Sequence, residues 1–144
     1  MQVALVQVCV DERLNHESLR IQVKHKLASL YLNAQRILVL NEVGGNFGEN
    51  FRNTSEMLLK LHDRIVLAAV LHHDECRSEK LGLRRPLQET LDTMTDFLAK
   101  RGIFCILASG YIYTSNNYIT WLNDRHVKEN SSGWRGMGAP VKQK

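Results

Sequence analysis

Apolar and polar positions along this chain alternate between two periods. Val3, Leu5, Val6, Val8 and Val10 form a nearly continuous apolar run, which predicts a strand over Gln2–Val10 covered on both faces. Leu19, Val23, Leu27 and Leu30 then recur at helical spacing with charges between them, predicting a helix over His16–Leu32. Arg36–Leu40 reads as a second strand, ending in the glycine-bearing turn Asn41-Glu42-Val43-Gly44-Gly45-Asn46. A second helix is expected over Asn53–His62 with Met57, Leu58 and Leu61 inward, and a third strand over Ile65–Leu71. His72–Arg85 is polar, with room for one short helical turn. Pro86 suits a helix start and Gly102 its stop, and Leu87, Leu91, Met94, Phe97 and Leu98 make the apolar stripe between them. Ile103–Ala108 reads as a fourth strand, and Gly110–Leu122 as a hairpin turning at Ser115-Asn116-Asn117.

Strand and helix in strict alternation predict an α/β fold: a mostly parallel central sheet with flanking helices and a C-terminal antiparallel hairpin or edge strand. At 144 residues the chain is one domain, long enough to bury a core without staples. Residues 1–124 carry 14 Lys and Arg against 14 Asp and Glu, whereas 125–144 hold five basic residues against Glu129 alone. The excess positive charge therefore belongs to the tail and not to a face of the body, which argues against nucleic-acid binding. This charge contrast predicts a domain over 1–124 and a basic, glycine-containing flexible tail over 125–144, in which Trp134 is a candidate docking anchor. Three cysteines, no signal-like N-terminus and no membrane-length apolar run predict a reducing, cytoplasmic setting and no membrane partner.

The chemistry-bearing residues fall at strand ends. Cys9 closes the first strand; His73 and Cys76 follow the third. In open α/β sheets, ligands gather beyond the carboxyl ends of the strands, so these distant segments are expected to meet. Two thiolates and a neutral imidazole cancel the charge of Zn²⁺ and leave a fourth position for water, whose pKa zinc brings to roughly 7. In an extended strand Asp11 and Arg13 share a face with Cys9. Asp11 then accepts from the water, while Arg13 grips the carboxylate bidentately and keeps it off the metal. The plainer alternatives are a small core cysteine, a surface ion pair and an isolated His-x-x-Cys. Glu42, Gly44, Gly45 and Arg77 are candidate neighbours of the ligands; His72 is expected to face the other side, and Cys105 to lie in the core.

Cys9-x-Asp11-x-Arg13 and His73-x-x-Cys76 resemble the signature of the β-class carbonic anhydrases. Val70-Leu71-His72-His73-Asp74-Glu75-Cys76 is similar to the short prokaryotic form, and Asn41–Gly45 falls where that family has a glycine-bearing turn. The similarity runs over about residues 2–122, with Arg77 where the family usually has glycine. The resemblance implies zinc on Cys9, His73 and Cys76, a catalytic Asp11–Arg13 pair, reversible hydration of carbon dioxide to bicarbonate and a proton, and a homodimer or higher homo-oligomer. A hydrolase of carbonyl sulfide or carbon disulfide on the same scaffold, and an inactive zinc-binding scaffold that engages partners through its tail, are the alternatives.

Overall fold

The computed structural model describes residues 1–129. Five strands, β1 (Gln2–Cys9), β2 (Arg36–Glu42), β3 (Arg64–His73), β4 (Ile106–Tyr113) and β5 (Tyr118–His126), form one sheet in the order β2-β1-β3-β4-β5. The first four pair in parallel, and β5 returns antiparallel to β4. Helices α1 (His16–Ser29), α2 (Glu49–Lys60), the single turn α3 (Arg77–Lys80) and α4 (Leu87–Lys100) lie between the strands. The α/β architecture with its closing antiparallel hairpin is the one the alternating periods predict.

Both faces of the central strands are covered, which explains their unbroken apolar runs. Val3 and Leu5 pack with Phe51, Leu58, Met94 and Leu98 from α2 and α4, whereas Ala4, Val6 and Val8 pack with Leu19, Val23 and Leu27 from α1. Between β1 and β3 the register slips: Val3 faces Ile65 but Ala4 faces Leu67, so Val66 is an extra residue. The slip sends Ile65 to the α2/α4 layer and both Val66 and Leu67 to the α1 layer. Asn15 caps α1 by accepting from the Ser18 amide at 3.0 Å.

Several expected boundaries move. α2 begins four residues early, at Glu49, so its buried stripe is Phe51, Ser55 and Leu58. Met57 and Leu61, expected inward, are exposed. The stripe is hard to read because its middle member is a serine, whose hydroxyl is satisfied by the Phe51 carbonyl at 2.8 Å. β4 begins at Ile106 and not at Ile103. Ile103 and Cys105 are buried, but the Ile103 amide still bonds back to Leu98, closing α4 through Gly102 at φ 70°. Apolar sequence marked burial there, not sheet pairing.

The tail boundary also shifts. Arg125 and His126 pair with Leu107 and Ile106, and Val127 is buried with its amide on the Cys105 carbonyl. Arg125 and His126 end the sheet; Trp134 and the rest of 130–144 lie outside the described residues. Among the described residues, no helix is long and apolar enough to cross a membrane.

Candidate metal centre

β1 and β3 are adjacent and parallel, so their carboxyl ends lie side by side. Cys9 is the last residue of β1 and His73 the last of β3. After His73 the chain turns through Asp74 and Glu75, the latter at φ 49°, and brings Cys76 back over the strand ends. Cys9, His73 and Cys76 are all buried, and their ligating atoms lie within 4.8 Å of one another.

Two observations test whether this cluster suits a metal. The Cys9 and Cys76 Sγ atoms are 3.9 Å apart. Two sulfurs each ~2.3 Å from a tetrahedral zinc are ~3.8 Å apart, whereas a disulfide needs ~2.0 Å. His73 Nδ1 lies 2.7 Å from the Asp74 carbonyl oxygen. A carbonyl only accepts, so Nδ1 carries the proton and Nε2 presents a lone pair. That Nε2 is fully buried with no hydrogen-bond partner. An orphaned acceptor beside two thiols at zinc-like separation fits a metal and is otherwise costly.

The His73 tautomer is itself braced. The Asp74 amide donates to Ile112, and Asp74 Oδ1 accepts from the Thr114 amide at 2.8 Å, so the β4–β5 hairpin holds the carbonyl that His73 addresses. That amide also holds the Asp74 carboxyl below its ordinary pKa. Burial raises the Cys9 thiol pKa, while the Ser78 hydroxyl, 3.8 Å from Sγ, and the Gly44 amide oppose the shift by favouring thiolate.

Asp11 and Arg13 do not continue the strand as expected. The chain turns after Cys9, with the Leu14 amide on the Asp11 carbonyl. Asp11 Oδ1 captures the Arg13 amide at 2.9 Å, a local bond that aspartate makes readily in turns. The Arg13 guanidinium then grips the carboxylate from both sides, Nε to Oδ1 at 3.0 Å and Nη2 to Oδ2 at 2.7 Å. Those bonds hold the Asp11 pKa down to about 2. Arg13 also donates to the Glu75 carbonyl at 3.0 Å, tying the β1 turn to the β3 turn. Asp11 Oδ2 consequently stands 3.6 Å from His73 Nε2.

The remaining candidates divide. Gly44 and Gly45 have φ of 68° and 69°. A Cβ on Gly45 would stand 3.3 Å from His72 Cδ2 and 3.7 Å from the Cys9 nitrogen, and the Gly45 carbonyl accepts from buried Gln7 at 2.7 Å. Glu42 turns away: its carboxylate accepts from the Asn50 amide at 2.7 Å, at the start of α2. Arg77 is exposed and lines a surface pocket together with Asp11, Arg13 and Glu75. His72 is buried outside the ligand cluster, and burial, then the nearby Arg84 charge, lowers its pKa to about 4.

Three residues that the sequence does not single out brace the site. Ser78 touches Cys9. Arg84 donates to the His73 carbonyl at 3.0 Å and pairs with Glu79 at 2.7 Å. Asn46 accepts from the Arg85 amide and donates to the Leu83 carbonyl, both at 2.8 Å, clamping the loop after Cys76. Ser78 follows Cys76 by two, a faint signal; Arg84 carries none, because only the path of the loop returns it to His73.

No family model matches the chain, and no curated protein matches it. Solved structures do. A carbonic anhydrase from Streptococcus mutans aligns with a TM-score of 0.50 and 14% identity, over 83% of this chain and 81% of that one. A carbonic anhydrase from Glaciozyma antarctica aligns at 0.44 and 11%, over 82% and 80%. Tetrameric β-carbonic anhydrases from Sordaria macrospora include one that aligns at 0.41 and 11%, over 85% and 81%. Identities this low relate the chain to the first of these by fold.

Proposed function

We propose that this protein is a zinc-dependent lyase that interconverts carbon dioxide and bicarbonate. The observation that carries the reading is the buried Cys9–His73–Cys76 cluster with an arginine-locked Asp11 carboxylate 3.6 Å from the free His73 nitrogen. Cys9, Cys76 and His73 Nε2 would hold the metal. Zinc in such a set supplies Lewis acidity, bringing the pKa of a coordinated water to roughly 7.

The other steps belong to the chain. The His73 Nδ1 proton on the Asp74 carbonyl keeps Nε2 available as a donor. Asp11 is ionised throughout the neutral range and accepts a hydrogen bond from the attacking water, aiming its lone pair at the substrate carbon. Arg13 prevents Asp11 from swinging onto the metal, because its two bonds to the carboxylate engage both oxygens. Burial of all three donors keeps water from competing for them. The reading carries with it a homodimer, which sedimentation equilibrium tests.

Asp11→Asn tests the assignment. The amide keeps the size but loses the charge and one acceptor oxygen, so zinc content is expected to stay at one per chain while hydration falls about 10²–10⁴-fold, the range of a lost acid–base group. Full activity in that variant would remove Asp11 from the mechanism.

A further inference from the structure

The two sulfurs of the metal cluster are not equivalent. Among the described residues, Cys76 Sγ has only Cys9 Sγ within hydrogen-bond range, at 3.9 Å. Cys9 Sγ has more around it. The Ser78 hydroxyl lies 3.8 Å away, and the Gly44 amide addresses the same atom. The Val10 carbonyl, also at 3.8 Å, can only accept, so it serves the thiol form of Cys9 and not the thiolate. Both donors are held in place. Ser78 is half-buried on α3, and its carbonyl accepts from the Leu83 amide at 2.8 Å, which pins residue 78 to the returning loop. Its hydroxyl makes no other hydrogen bond among the described residues. Gly44 belongs to the turn whose Gly45 carbonyl accepts from Gln7 at 2.7 Å. Gln7 is fully buried and its Oε1 has no partner, so the one bond of a costly buried amide goes to that turn.

We propose that Ser78 is a positioning residue that acts through Cys9 on the bound metal: its hydroxyl donates to the Cys9 thiolate and makes Cys9 the weaker of the two sulfur donors. The proposal rests on the metal reading of the cluster and not on the hydration reaction. A thiolate accepts a stronger hydrogen bond than a thiol, so the contact gains strength when the metal displaces the proton. A sulfur that shares a lone pair with a hydroxyl passes less charge to the metal and leaves it more Lewis-acidic.

Cobalt in place of zinc makes the sulfurs visible, because thiolate-to-cobalt charge transfer absorbs in the near ultraviolet. The test compares the spectra of full-length wild type, Ser78→Ala and Ser78→Thr, each loaded with cobalt. Loss of the donor raises the energy of the sulfur lone pairs, so the charge-transfer band of Ser78→Ala should move to longer wavelength. Ser78→Thr keeps the hydroxyl and should return the band to its wild-type position. Zinc affinity, read by competition with a chelator, should fall about tenfold in Ser78→Ala and recover in Ser78→Thr. Melting temperatures of the three metal-free proteins should agree. A merely structural role would lower affinity or stability without moving the band. A Ser78→Ala band at the wild-type wavelength would overturn the proposal and leave the metal site standing. A shift shared by Ser78→Thr would also overturn it, since the hydroxyl would not be the cause. A wild type with no thiolate-to-cobalt band would overturn the metal site and the role of Ser78 together.

Discussion

Replacing Cys76 by serine separates the metal's contribution from that of the fold. The change swaps sulfur for oxygen and removes one of two thiolates. Cys76 also occupies the position preceding α3, with φ −75°, ψ 118° and no side-chain cap bond. Serine favours that position and can contribute up to about 1 kcal/mol there by capping. The apolar layers around Leu5 and Leu71 do not depend on the site. Zinc-free variant and zinc-free wild type should thus be equally stable, or the variant slightly more so. With zinc at about a thousand times its dissociation constant, wild type gains about 4 kcal/mol by mass action. An unfolding entropy near 2.1 cal/mol/K per residue, summed over a chain of 144 residues, converts this to a rise in melting temperature of about 14 °C. The variant should gain little. Melts with chelator and with excess zinc, on both proteins, read all four values. A Cys76→Ser protein that kept the full zinc-dependent rise, or a wild type that showed none, would refute the donor set.

Two further outcomes follow, one from a brace of the site and one from the core. Arg84→Ala removes the donor to the His73 carbonyl, so zinc affinity should fall about tenfold, read by competition with a fluorescent chelator; unchanged affinity would make Arg84 a mere loop anchor. Burial pushes the Cys105 thiol up to about 12, so at pH 8 it stays protonated in the fold. Iodoacetamide at that pH should modify at most Cys9 and Cys76 in chelated native protein, and Cys105 only on unfolding, when its pKa returns to the ordinary range. Mass spectrometry showing Cys105 alkylated in the native state would contradict its burial.

The order of elements was legible because each buried strand writes an apolar run and each helix a stripe. The meeting of Cys9 with His73 and Cys76 was legible too, since parallel strands bring their carboxyl ends to one edge. What failed was local. Ser55 interrupts the α2 stripe, so Met57 and Leu61 were misplaced. Ile103 and Cys105 are apolar for burial under α4 and not for sheet pairing. Asp11 reaches its place through a side-chain turn and not by strand alternation. Arg84 and Asn46 act through loop carbonyls and amides, contacts that depend on the path of residues 74–85 and leave no periodicity in the sequence.

The most direct test is stopped-flow hydration of carbon dioxide by the full-length protein, zinc-loaded and chelated, from about pH 6 to 9, a range that brackets the ionisation zinc induces in water. The account predicts turnover that needs zinc and rises with pH through one ionisation near neutrality. Zinc bound at one per chain, with hydration no faster than the uncatalysed reaction at every pH, would contradict it.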